Sequence, residues 1–405
     1  MKVGKSGHLS YCTNIHSGES WSETFDNLKL YLLGVKAQIS KKNPFGIGLR
    51  LSNQAAIELN EKTTLASFKK WLKENNLYVF TINGFPYGNF HDEVIKDKVH
   101  VPDWSTNLRK EYTLLLFNIL AVLVPENLIS GISTSPITYK YWHTSKSELE
   151  KIKNRACEYL IDVVNHLINI KNTTGKSMHL NIEPEPDGLI ENSEEFITFF
   201  NDFLLKRGGE LLVKKNKCSI DEAQSAIREH IQLCYDVCHF SVGFEKPLEI
   251  IEKMKNNGIR IGKLQISAAL KCTLNEHTTI EELKSYLKPF HEPNYLHQAV
   301  IKSRGENFSK YTDLDMAINA MHKNEFEELR THYHVPVFLD EYQNLKSTQD
   351  DLIDTLQLWK EDEFTQHLEI ETYTWEVLPN KMQTDIISAI TREINWVRTK
   401  IGDII

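Results

Sequence analysis

What most constrains this chain is an alternation that runs its whole length. Short runs of β-branched and apolar residues occur at 7–15, 46–51, 78–83, 128–133, 178–183, 232–236, 260–266 and 367–372. Between them lie longer amphipathic stretches such as 23–39, 65–75 and 148–170. In 148–170 the helical repeat is Leu149, Ile152, Ala156, Leu160 and Val163; in the closing stretch, 384–400, it is Ile387, Ile390, Ile394 and Val397. Strands separated by helices are joined by crossovers and lie parallel. Eight such units closing on themselves predict an α/β fold of the (β/α)8 TIM-barrel type, one domain over 1–405. A doubly wound sheet is the alternative, but six strands would suffice there, and no phosphate fingerprint follows the first strand. The nearest sequence, Gly46-Ile47-Gly48, has Leu51 where the third glycine belongs.

Two stretches exceed a minimal barrel. In 192–230, Gly208-Gly209 predicts a break between two helices. The longer one, 271–344, falls between the seventh and eighth strands. It carries a hairpin pattern, 298–301 and 308–311 around Ser303-Arg304-Gly305, and then His332-Tyr333-His334. Loops after barrel strands build the active face, so this insertion is expected over the C-terminal end as a lid or partner surface.

Composition excludes several classes. Acidic residues outnumber basic ones, 55 to 47, for a net charge of −8. The basic footprint of a nucleic-acid or anionic-lipid binder is therefore missing. The most apolar run, 112–124, stops at Pro125, well short of the roughly 20 residues that span a bilayer. The first residues carry no apolar signal segment. Six scattered cysteines with no CxxC pair predict buried thiols and a reduced, cytoplasmic setting.

Barrel enzymes carry their chemistry at C-terminal strand ends. The fifth strand ends in Glu183, with Glu185 at the same parity; the sixth is interrupted by Asp236, with His239 three residues on. The seventh places Lys263, Gln265 and Ser267 on one face, and the eighth places Glu369 and Glu371 on one face with Tyr373 beyond. Carboxylates aimed into a packed mouth are costly unless paired or bound to a metal. Glu183, Asp236 and Glu371 on three strand ends therefore predict a divalent cation. Oxygen ligands suit Mg²⁺ or Mn²⁺, and one imidazole shifts the preference toward Mn²⁺, Zn²⁺ or Co²⁺. The plainer alternatives are salt bridges and caps for the carboxylates, and core thiols for Cys234 and Cys238. His332 and His334 share a strand face, as ligands, a proton shuttle or part of a polar edge. Candidate substrate contacts are His8, Asn14, Arg50, Asn83, His91, Lys263, His332 and Tyr373.

Together, NIEPEP, DVCHF, KLQIS and IETYTW resemble the xylose isomerase-like barrel superfamily of sugar isomerases, epimerases and related endonucleases. The resemblance implies a metal held by Glu183, Asp236, Gln265 and Glu371. It implies Glu183 and Glu371 as the acid/base pair for proton transfer, and His239 as a contact to substrate or a second metal. Gln265 stands where the epimerases place histidine; His334 or His332 could fill that vacancy. The segments GHLSYCTNIHSGESW, TINGFPYGNFH, YLHQAV, HYHVPVF and IETYTWEVLP are similar to the EboE-type metabolite traffic proteins, a bacterial branch of that superfamily. That branch implies the handling or export of a small metabolite.

Two functions follow as expectations. One is a metal-dependent isomerase or epimerase acting on a sugar-like or polar metabolite. The other is a binding or traffic component that hands the metabolite to a membrane protein of the same pathway. Metal-dependent action on nucleic acid is disfavoured by the charge. Self-association into a homo-oligomer is left open.

Overall fold

The computed structural model describes residues 1–88, 94–275, 277–322, 325–375, 378 and 384–403. A short strand β1 (Lys2–Val3) pairs antiparallel with β2 (Gly7–Tyr11). Then come β3 (Phe45–Arg50), β4 (Leu77–Asn83), β5 (Ser130–Thr134), β6 (Met178–Ile182), β7 (Ile231–Asp236) and β8 (Ile261–Ile266). The excursion contributes β9 (Ala269–Thr273), β10 (Ala299–Ser303), β11 (Asn307–Tyr311), β12 (Phe326–His334), β13 (Glu341–Tyr342) and β14 (Leu345–Ser347). The last strand is β15 (His367–Ile370).

β2–β8 and β15 are the barrel staves. They run parallel in the order β2-β15-β8-β7-β6-β5-β4-β3. The ring closes between β2 and β3 through a single parallel bridge, Cys12 to Gly48. Side chains replace ladder bonds along this seam: Ser10 Oγ donates to Gly46 O (2.8 Å), and Arg50 N donates to Thr13 Oγ1 (2.8 Å). The eight strands fall where the sequence predicts them, with ends shifted by a few residues.

The helices that cover the staves are amphipathic. Helix Lys146–Thr174 buries Ile152, Ala156, Leu160 and Val163; Ser145 Oγ accepts from Glu148 N at its start, and Gly175 ends it at φ +74°. One expectation is overturned. Gly208-Gly209 does not break a helix; a continuous helical run from Ser193 to Asn216 passes through it. The glycines give room instead: a Cβ on Gly208 would lie 2.8 Å from Ile161, and one on Gly209 2.9 Å from Ile220. The run ends at Lys217, in the left-handed region.

Segment 269–347 builds a second, six-stranded sheet, β11-β10-β12-β9-β14-β13, all antiparallel. The predicted hairpin is β10–β11. The far end of β12, where a bulge separates Thr331 from His334, carries the His-x-His pair to the barrel mouth.

The barrel interior is unusually polar for a fold whose staves commonly enclose branched aliphatic layers. At its N-terminal end the rings of His8, Phe80, His367 and His179 contact one another in series. Above them the fully buried Lys263 and Glu369 form an ion pair, and Lys263 Nζ also donates to Ser133 Oγ (3.3 Å). A Cβ at Gly48 would lie 1.6 Å from Glu369 Oε1, so this glycine makes room for the carboxylate.

Candidate metal centre

The site stands at the C-terminal ends of the staves. Glu183 follows β6, and its N–H donates to Thr134 O (3.0 Å), extending the ladder one residue beyond the strand. Glu371 follows β15 and is anchored in the same way, through its N–H to Ile266 O (3.0 Å). Asp236 ends β7 and caps the helix Val237–Val242: Oδ1 accepts from His239 N (3.2 Å) and from the Ser267 hydroxyl (2.6 Å). That cap explains the Asp-x-x-His spacing, and it leaves Oδ2 without a hydrogen-bond partner.

Ligand atoms of Glu183, Asp236 and Glu371 lie within 4.8 Å of one another, all buried. Glu371 Oε1 accepts from Asn14 Nδ2 (2.7 Å) and Asn83 Nδ2 (2.8 Å), which fixes the carboxylate. Glu183 Oε2 has no hydrogen-bond partner. Burial, then the charge of Asp236, pushes Glu183 up to about 8. Burial and the neighbouring Glu183 raise Glu371 well above the carboxylate range. For Asp236 burial acts in the same direction but is outweighed by His239, His334 and Ser267, which hold it low. Such mutual repulsion is what a divalent cation relieves.

The imidazole of His334 is close to these carboxylates. Its Nδ1 donates to Glu371 O (2.6 Å), so in the neutral ring the lone pair sits on Nε2, which is buried and unpartnered. It groups with Asp236 and His239. Gln265 is fully buried beside Asp236 in register, and neither amide atom has a partner. The orphaned Glu183 Oε2, Asp236 Oδ2, His334 Nε2 and Gln265 amide thus fit a divalent ion.

A second group comprises Glu185, His239 and His332. His239 Nδ1 donates to Pro184 O (2.8 Å) and His332 Nδ1 to Gln298 Oε1 (2.8 Å); Gln298 Nε2 in turn donates to Pro186 O (3.0 Å). The Nε2 atoms of the two histidines face each other at 3.1 Å. The Glu-Pro-Glu-Pro run therefore alternates carboxylates with the carbonyls that orient this network. His100, which sequence reasoning missed, is fully buried 3.7 Å from Glu185; burial first, then Arg109, pushes it down to about 3. No spacing signal marks it, because the 3₁₀ turn it ends, Lys96–His100, is too short to show a periodicity.

The cavity above these groups has a volume of about 60 Å³. Asn14, Asn83, His239, His332, His334 and Tyr373 line it with Glu183 and Glu371. Tyr373 packs on His334 at 4.7 Å between ring centroids. Three expected substrate contacts are displaced from it. His8 sits at the opposite, N-terminal end, bonded to Tyr78 Oη (2.7 Å) and lining a separate cleft with Met1 and Lys2. Arg50 is buried between loops, its guanidinium donating to Gly18 O (3.1 Å) and Gly88 O. Lys263 lies below the carboxylates in the ion pair with Glu369; burial alone would lower it, but Glu369 holds it above the ordinary lysine value. His91 falls outside the described residues.

Neither a family model nor a curated protein matches the chain. Solved structures do. One is a D-tagatose 3-epimerase-like protein, at 10% identity and TM-score 0.46 over 98% of this chain and 97% of that one. Another is the IOLI protein with a bound zinc atom, at 13% identity and TM-score 0.47 over 98% of each chain. A third is a xylose isomerase-like TIM barrel protein from Mycobacterium smegmatis in complex with magnesium, at 9% identity and TM-score 0.51 over 100% of this chain and 99% of that one. This last likeness is one of fold, and the chain has the xylose isomerase-like TIM-barrel fold.

Proposed function

We propose that this barrel is a divalent-metal-dependent enzyme that moves a proton on a small polar, sugar-like metabolite, by isomerase- or epimerase-type chemistry. One observation carries the reading: Glu183, Asp236 and Glu371 converge from three strand ends into one buried mouth with ligand atoms left unpaired. A bound divalent ion would supply Lewis-acid polarisation of a carbonyl or hydroxyl pair. Glu183, Asp236, Glu371 and His334 would hold it, with Gln265 beside them. Glu183 and Glu371 stand on separate staves around the same small cavity. One carboxylate takes a proton from a substrate carbon while the other gives one back. Asn14 and Asn83 keep Glu371 in place for either role.

The test is Mn²⁺ titration of metal-free protein, followed by solvent deuterium exchange into candidate ketoses and aldoses. Glu183→Gln and Glu371→Gln should each abolish exchange with the far-ultraviolet circular dichroism unchanged. Retained exchange in both, or no metal bound by the native chain, overturns the reading.

The finer placement, an EboE-type role in metabolite traffic beside a membrane partner, is part of the same proposal and rests on the sequence resemblance. The outer strand β11 lends it a surface: four of its five residues are exposed, Phe308 among them at 51%. No helix among the described residues is long and apolar enough to cross a membrane. Phe308→Asp on the exposed face of β11 should remove partner capture while leaving metal binding intact; unchanged capture would count against the traffic role.

A further inference from the structure

The two segments that deliver Glu371 and His334 to the mouth come from different sheets. One is the run after β15; the other is the end of β12. Two hydrogen bonds tie them to each other: His334 Nδ1 to Glu371 O (2.6 Å), and Thr374 Oγ1 to His334 O. A third tie comes from outside both. Glu393 lies on the helix Ile386–Ile401, 1% exposed. Its Oε1 accepts from the Thr372 hydroxyl (2.7 Å), one residue after Glu371, and from Val337 N (3.1 Å), three residues after His334. The preceding residue, Arg392, lays its guanidinium over the Phe338 ring at 3.8 Å, next to Val337. The closing helix therefore grips the His334 segment twice and the Glu371 segment once.

We infer that Glu393 is a positioning residue of the metal centre, a single buried oxygen that sets Glu371 and His334 relative to one another. The inference rests on the metal-dependent reading above. A buried carboxylate is an expensive group to place on a helix that otherwise packs with Ile390, Ile394 and Val397. A purely apolar residue would serve packing there, but it could not bridge two backbone segments at one atom. Glu393 does not line the cavity, and its Oε1 is bonded to Thr372 and Val337, so its effect on the metal passes through those two residues.

The experiment is a double-mutant cycle read by Mn²⁺ affinity, with Glu393→Leu, His334→Ala and their combination. Glu393→Leu should weaken binding by roughly 10-fold or more, in the range seen when groups that orient metal ligands are lost. The combined variant should lose clearly less than the product of the two single losses, because the part of the Glu393 effect that passes through His334 is already gone. Glu393→Gln, which keeps an acceptor oxygen, should restore most of the affinity, something a general packing defect would not allow. If Glu393→Leu does not fold, Thr372→Val removes one donor from the other side and should show the same direction of change. Unchanged affinity in these variants, or losses that simply multiply in the double variant, overturns the positioning role while leaving the metal centre standing. A native chain that binds no Mn²⁺ overturns both.

Discussion

At the scale of single residues, the carboxylates were legible because each interrupts an apolar run at the end of a strand. Parity indicates which side of a stave a residue faces. It does not indicate its height along the barrel axis, and this is where His8 and Lys263 went astray: both face inward, but below the mouth. Arg50 reaches the right end of its stave and is then consumed by loop carbonyls. Two predictions belong here. Asn83→Ala removes one of the two amides that hold Glu371 Oε1. It should weaken Mn²⁺ binding about 10- to 100-fold, by calorimetric titration, with folding intact. Lys263→Met leaves Glu369 buried without its partner. It should cost about 3–5 kcal/mol in chemical denaturation, and Lys263→Met with Glu369→Leu should recover most of that loss. Equal stability of the single and double variants would show that the ion pair does not govern this layer.

At the scale of elements, the sequence marks strands and helices well but misjudges what interrupts them. Gly208-Gly209 looked like a break, yet glycine here serves close approach of Ile161 and Ile220 rather than a turn. The Glu-Pro-Glu-Pro run looked like two carboxylates; its prolines matter as much, because their carbonyls receive His239 and Gln298. The closing helix carries a pH signature of its own. Burial raises Glu393 to about 7, against the opposing hydrogen bonds from Thr372 and Val337. In the unfolded chain a glutamate titrates near 4.3. The resulting stability is fully present below that value and is lost as pH rises through about 7, a contribution on the order of 3 kcal/mol. Thermal midpoints of metal-free native protein should fall between pH 5 and 8 more steeply than those of Glu393→Gln. Parallel curves for the two proteins would remove Glu393 from the account.

At the scale of the whole molecule, the proposed centre joins barrel and second sheet, because the staves would supply its oxygen ligands and β12 its imidazole. Metal should therefore tie the two sheets. Mn²⁺ at 100 times its dissociation constant should add about 2.7 kcal/mol to stability, raising the thermal midpoint, and a chelator should reverse the shift. A Glu183→Ala and Asp236→Ala double variant should show no such response. A shift of equal size in that variant would place the ion elsewhere.

The sequence alone determined the eightfold alternation, and with it the barrel. That pattern is local: each strand and helix is specified by residues within a few positions of one another. It also determined which strand ends carry carboxylates, since a charge in an apolar run stands out without any partner. The tertiary structure decided what those charges meet. His334 comes to Asp236 from nearly a hundred residues away, Asn14 reaches Glu371 across the whole chain, and His100 enters from a single 3₁₀ turn. Such contacts depend on barrel closure and on the path of the second sheet over the mouth. No spacing along the chain encodes them, because they are set by the packing of all the elements at once.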